Sequence, residues 1–194
     1  MEKYHFFAKM SRMKHINRWA LMRNTSNENL SEHSFEVSIV AHALAIIAKE
    51  KYRKDIDPEE VAVMGLYHDC SEILTGDMPT PVKYYNPVIR DAYKEIELAA
   101  EQTMLSYLPD YMKNYLENYL IYDETRDDEW RLVKSADKIC ALIKCIQERM
   151  MGNTEFIKAE QAIKASLEKL DCIEAHVFMQ DFLPSYSLTI DEQE

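Results

Sequence analysis

Turn-forming residues are scarce in this sequence: three glycines and six prolines in 194 positions. So few cannot serve the many tight connections of a β-sandwich or barrel, which leaves a chain of long helices. The four cysteines, Cys70, Cys140, Cys145 and Cys172, form no C-x-x-C pair. Cys70 and Cys140 stand among apolar helical residues and read as buried thiols of a reducing compartment. Basic residues are outnumbered, 23 against 34 acidic, for a net charge of −11. No dense Lys/Arg stripe overrides that balance, so the bulk surface repels the phosphates of long nucleic acid. A small phosphorylated ligand stays compatible, because a metal and one or two arginines can neutralise it locally. The N-terminal "MEKYHFFAKM" lacks a signal-peptide core. The longest apolar run, Ile39 to Ala48, is interrupted by His42 and is too short to span a bilayer. A cytoplasmic protein that makes no membrane contact is expected.

What is present is a mixture suited to one folded domain over residues 1–194, 47% apolar and 29% charged. No internal repeat or low-complexity segment interrupts it, and no stretch alternates as a strand. A first helix is expected over Tyr4 to His15. An Asn/Ser-rich loop follows, and then a long helix capped by Ser31 runs to about Tyr52. Asp57 caps the next helix, with Pro58 at its first position, and that helix runs through "VAVMGLYHDCSEIL" to Gly76. Further helices are read from "NPVIRDAYKEIELAAEQTMLSYL", "DYMKNYLENYLIY", "DDEWRLVKSADKICALIKCIQERMMG" (ended by Gly152), "NTEFIKAEQAIKASLEKL" and "CIEAHVFMQDFL". The expected fold is an all-α bundle of about seven to nine helices.

The chemistry concentrates in "YHDCSEILTGDMPTPVK", Tyr67 to Lys83. On a regular helix Glu72 lies about 40° round from His68 and about 60° from Asp69. The three polar side chains share a side among apolar neighbours, and a buried carboxylate needs a partner. A divalent cation would be one, and imidazole with carboxylate suits Mn, Co, Fe, Ni or Zn better than calcium. Two vicinal ligands do not complete a site. His33 leads an apolar face formed by Val37, Val40, Ala41 and Leu44. His42 lies roughly opposite it on the same helix, so both cannot serve one ion. Asp137 stands on a stripe with Trp130, Val133, Cys140 and Ala141. Each residue singly is more often a satisfied core histidine or half of an ion pair. Their coincidence on three helices is what points to a metal.

The succession His33, His68-Asp69, Asp137 resembles the H…HD…D signature of the HD-domain metal-dependent phosphohydrolases, and "HDCSE" matches its H-D-x-x-E subset. More closely, the chain is similar to the bacterial HD-domain 5'-deoxynucleotidases. That similarity is carried by "HFFAKMSRMKHINRW" (His5 to Trp19), "MRNTSNENLSEHS" (Met22 to Ser34), "YHDCSEILTGDMPTPVKY" (Tyr67 to Tyr84), "VKSADKICALIKC" (Val133 to Cys145) and "FLPSYSLTIDE" (Phe182 to Glu192).

The resemblance implies an all-α homodimer with one divalent transition metal per subunit, cobalt, manganese or similar, held by His33, His68, Asp69 and Asp137. It implies deoxyribonucleoside 5'-monophosphates as substrates, cleaved to deoxynucleoside and inorganic phosphate. Glu72, surplus to the ligand count, becomes the catalytic acid/base; the bland alternative is that it merely holds a ligand histidine. Arg18 and Trp19 become phosphate-positioning residues, with Asp69 and Asp137 also facing substrate. Asp77, Met78, Pro79 and Thr80 become a stiff wall against the sugar. There Asp77 would take the 3'-hydroxyl and the loop would exclude a ribose 2'-hydroxyl while tolerating many bases. Arg23 reads as a solvated loop charge. Two alternatives stay open: an HD phosphohydrolase for another nucleotide, and a non-catalytic helical module stapled by a metal.

Overall fold

The computed structural model describes residues 3–194; Met1 and Glu2, part of the N-terminal stretch read above, lie outside it. The α-helices are α1 (Phe6–Met10), α2 (Leu30–Ile46), α3 (Pro58–Tyr67), α4 (Glu72–Thr75) and α5 (Thr80–Lys83). They continue as α6 (Pro87–Ser106), α7 (Asp110–Leu120), α8 (Asp127–Met150), α9 (Ile157–Glu168) and α10 (Ile173–Asp181). No strand forms among the described residues. One isolated antiparallel bridge pairs Asn17 with Asn29. Seven of the helices have nine residues or more, within the expected range.

Helices α2 and α8 form the centre, with α3 against both. Val37, Val40, Ala41 and Leu44 of α2 are buried, as are Leu132, Val133, Ala136, Ile139 and Cys140 of α8. Helix α2, with the π-helical turn Ile47–Lys51, is long and apolar enough by composition to cross a membrane. That is longer than the Ile39–Ala48 run implied, but its apolar stripe is spent on the protein core. All four cysteines are free and buried, and burial pushes the Cys145 thiol up to about 12, so it is inert at neutral pH.

Three local expectations are corrected. The first helix is short: α1 stops at Met10, where the Ser11 hydroxyl bonds back to the Ala8 carbonyl, and a 3₁₀ turn, Met13–His15, follows. Helix α2 is capped by Asn29, not Ser31. The Asn29 side chain accepts from the N–H groups of Ser31 and Glu32 at 3.0 and 3.1 Å, and Glu32 accepts the Asn29 N–H in return. The third helix is not continuous to Gly76. It ends at Tyr67, and residues 68–71 form a tighter turn with three-residue hydrogen bonds, Cys70 N–H to Tyr67 and Glu72 N–H to Asp69.

Helices α2 and α3 touch backbone to backbone. A Cβ at Gly65 would lie 2.8 Å from Ser38 Cα, and the Ser38 hydroxyl donates to the Ala62 carbonyl at 2.8 Å. This contact fixes the spacing of the elements carrying His33 and His68. Gly65→Ala forces the two backbones apart, and overpacking of this kind costs about 1–3 kcal/mol. Urea unfolding checks it: the midpoint is expected to fall with the slope unchanged.

Candidate metal centre

The centre is assembled from helix ends and one helix middle. The capping box of α2 fixes its first turn, so His33 enters the core rigidly and is fully buried. His68 follows the last residue of α3, and its Nδ1 lies 2.8 Å from the Gly65 carbonyl. A proton on Nδ1 donated to that carbonyl leaves the Nε2 lone pair facing inward. The ring thereby takes an acceptor that the helical ladder would otherwise use, which is why the chain tightens through the H-D-x-x-E segment. Asp137 projects from the middle of α8.

One donor atom from each of His33, His68, Asp69 and Asp137 lies within 4.8 Å of the others. His33 Nε2 is 3.0 Å from Asp137 Oδ1 and 3.6 Å from Asp69 Oδ2. His68 Nε2 is 3.0 Å from Asp69 Oδ2. That last contact lacks hydrogen-bond geometry, and Nε2 is buried without a partner. A divalent cation between or beside an imidazole lone pair and a carboxylate oxygen would satisfy both, and two imidazoles with two carboxylates are a donor set that divalent transition metals accept. The residues therefore fit a metal.

Charge inside the cluster is strongly coupled. Burial opposes ionisation of Asp69, yet His68, His33 and Arg18 hold its carboxyl well below the usual range. Burial likewise opposes ionisation of Asp137, and the hydrogen bond and charge of His33 bring it below its ordinary value. Burial disfavours protonation of His68, but Asp69 outweighs it and raises the imidazole.

Arg18 reaches the same carboxylates from the loop before α2. Its Nη1 is 3.3 Å from Asp69 Oδ2, and its Nη2 3.8 Å from Asp137 Oδ1. Trp19 stands next to it in a left-handed backbone conformation, φ 58°. The Trp19 indole N–H donates to Glu28 Oε2 at 3.0 Å, and its ring packs on Phe156. The indole N–H is therefore already engaged, and only the ring is left to meet a phosphate. Arg23, set aside in the sequence, pairs with Glu155 while its side chain stays 92% exposed. The residue that the sequence reading missed is Glu28. It is buried and accepts from both Arg18 Nε and Trp19 Nε1, but in an Asn/Ser-rich loop nothing marks it from a solvated charge.

Glu72, the first residue of α4, is buried at 7% exposure, and its Oε2 has no hydrogen-bond partner. Burial, then the charges of Asp69 and Asp77, push its carboxyl up to about 9. Gly76 turns the chain at φ 74°, with ψ 162°. Asp77, Met78 and Pro79 follow, half-buried, and the exposed Thr80 opens α5 with Pro81 in its first turn. The stiff wall expected over Asp77–Thr80 thus runs directly into a short helix. Asp77 contributes charge to both Arg18 and Glu72, so it borders the cluster. A cavity of about 270 Å³ between Phe7, Met10, Phe35, Leu66 and Tyr67 contains none of these residues.

An all-helical bundle with this H…HD…D cluster has the architecture of the HD-domain phosphohydrolases. A crystal structure of such an enzyme from Listeria innocua superposes with a TM-score of 0.79, at 23% identity over 94% of this chain and 88% of that one. The cyanophage S-2L HD phosphohydrolase, bound to dA and one catalytic Zn2+ ion, superposes with a TM-score of 0.63 at 18% identity, over 94% of this chain and 96% of that one. The sequence model of one family, described as 5'-deoxynucleotidase YfbR-like, matches residues 5–186. A 5'-deoxynucleotidase of Photobacterium profundum is 47% identical over 99% of both chains. This chain belongs to the YfbR-like 5'-deoxynucleotidase family.

The raised Glu72 carboxyl has a consequence for stability. Unfolded, it ionises near 4.5; folded, near 9. Between those values the unfolded chain has released a proton that the folded protein keeps, so this group's contribution to stability falls as pH rises. Glu72→Gln removes that loss. The Tm of the variant, read by circular dichroism, is expected to match the parent at pH 5 and to exceed it increasingly toward pH 9.

Proposed function

We propose that this protein is a metal-dependent 5'-deoxynucleotidase that hydrolyses deoxyribonucleoside 5'-monophosphates to deoxynucleoside and inorganic phosphate. The observation that carries the reading is the convergence of His33, His68, Asp69 and Asp137 within 4.8 Å, with Arg18 on one side and Glu72 alongside in sequence and charge. The relatives named 5'-deoxynucleotidases support the substrate class, and the cyanophage enzyme's dA and Zn2+ support a metal beside a deoxynucleoside.

In this reading His33, His68, Asp69 and Asp137 hold one divalent ion, which when bound supplies Lewis-acid polarisation of phosphate and an acidified water. Arg18 offers a guanidinium already desolvated within the cleft, suited to charge-assisted hydrogen bonds with phosphoryl oxygens. Asp69 and Asp137 border the same phosphate, and the Trp19 ring closes the wall beside it. Glu72 carries a proton at neutral pH and delivers it to the departing 5'-oxygen as a water oxygen bonds to phosphorus and the phosphorus–oxygen ester bond breaks, the water's own proton passing to solvent or phosphate. Asp77 accepts the 3'-hydroxyl. Met78, Pro79 and Thr80 form the wall that leaves no room for a 2'-hydroxyl, and they read the base weakly. Zinc, cobalt and manganese all suit the ligand set. A homodimer and a cytoplasmic location belong to the same reading, the latter supported by four free, buried thiols.

The test is phosphate release by metal-stripped protein given Mn, Co, Zn or Mg singly, with a deoxynucleoside 5'-monophosphate and its ribo counterpart side by side. Release that needs metal and strongly favours the deoxy substrate is expected. Glu72→Gln is expected to lower kcat by roughly 10²–10⁴ with KM little changed. Equal release from both sugars would keep the chemistry and remove the assignment of the Asp77 wall. Preference for a triphosphate or a cyclic dinucleotide would replace the substrate class.

A further inference from the structure

Glu28 stands where three residues of the cleft meet. Its Oε2 accepts from Arg18 Nε at 3.3 Å and from the Trp19 indole N–H at 3.0 Å. Its Oε1 is 3.9 Å from His33 Nδ1. The Arg18 and Glu28 side chains are 12% and 10% exposed, so the pair is largely desolvated. The backbone seats the carboxylate as well: the Arg18 N–H donates to the Glu28 carbonyl at 3.0 Å, and the Leu30 N–H to the Ile16 carbonyl at 2.9 Å. The far side of the loop is fastened by the buried Glu148, which accepts from the N–H groups of Thr25 and Ser26.

His33 Nδ1 is buried and has no hydrogen-bond partner. A histidine that gives Nε2 to a metal carries its proton on Nδ1, and an enclosed N–H without an acceptor is costly. Glu28 Oε1 is a carboxylate oxygen already beside it, short of bonding distance by an amount that a side-chain rotation closes. We propose that Glu28 is a positioning residue of the centre. One oxygen locks Arg18 and Trp19 in their aim at the cleft, and the other accepts the His33 Nδ1 proton and so orients that ring as a ligand. The His33 half rests on the reading of His33 as a metal ligand; the Arg18–Trp19 half does not.

Glu28→Gln separates the two roles. An amide has one acceptor oxygen, so it can satisfy Arg18 and Trp19 or His33, but not both. Full-length Glu28→Gln and Glu28→Ala are compared with the parent in three measurements. Binding of Mn2+ alone, followed by the electron paramagnetic resonance of the free ion, is expected to weaken about 10- to 100-fold in both. Acrylamide quenching of tryptophan fluorescence in metal-free protein reports Trp19, because Trp130 is only 5% exposed; it is expected to rise in Glu28→Ala. KM for a deoxynucleoside 5'-monophosphate is expected to rise in Glu28→Ala as Arg18 loses its anchor.

Folded variants that bind Mn2+ within twofold of the parent, with unchanged quenching and KM, would overturn the proposal. If Glu28→Ala does not fold, Mn2+ binding and tryptophan quenching of the near-isosteric Glu28→Gln decide together, since its one acceptor oxygen must give up either His33 or the Arg18–Trp19 pair. A parent that binds no Mn2+ would overturn the ligand reading of His33 and with it that half of the proposal. Quenching then judges the Arg18–Trp19 half by itself.

Discussion

Two carboxylates, Asp69 and Asp137, share one cleft with two imidazoles, and the arrangement of everything around them follows from that charge. Unit charges whose donor atoms lie within 4.8 Å repel by roughly 3–4 kcal/mol at an effective dielectric constant of about 20. The fold answers with positive groups brought from distant parts of the chain: Arg18 from the N-terminal loop, and His33 and His68 from the ends of adjacent helices. A divalent cation meets the same demand more completely and leaves the guanidinium available to an incoming anion. The same acidity acts on Glu72. Buried, and within the field of Asp69 and Asp77, it keeps its proton, so neighbouring carboxyls are held in opposite protonation states.

Precision in this cleft comes from the scaffold. The reciprocal cap of Asn29 and Glu32 fixes the turn carrying His33, and the bare approach of Gly65 to Ser38 fixes where α3 can end. The His68 ring is then held by the carbonyl of Gly65 itself. A change of a few tenths of an ångström between α2 and α3 moves the two imidazoles relative to each other, which is why a glycine stands in the last turn of α3.

The clustering of these four residues was legible in the sequence because each breaks a pattern: His33 at the head of an apolar face, Asp137 on an apolar stripe, His68 and Asp69 amid apolar neighbours. Periodicity reports such departures directly. The capping of α3 at Asp57 and the ending of α8 just before Gly152 also followed from local rules. Three features did not. Ser31 and Asn29 are both good caps two residues apart, and the choice fell to Asn29, which is held in place by a backbone bridge to Asn17 that no local rule foresees. The tightening at residues 68–71 depends on a side chain taking a main-chain acceptor. Glu28 acquires its meaning only through partners nine and ten residues back, reached across a folded loop.

Helix α8 carries more than its aspartate. Asp137 sits at its middle, and near its end Glu148 grips the backbone at Thr25 and Ser26, closing the loop that presents Arg18 and Trp19. Both the last member of the His/Asp cluster and the fastening of the Arg18–Trp19 loop therefore arrive with one late segment. During synthesis, which proceeds from the N-terminus, a nascent chain that has released only its first hundred or so residues holds His33, His68 and Asp69 but can neither complete the four-residue cluster nor fix Arg18. Competence for chemistry is thus tied to near-completion of the polypeptide.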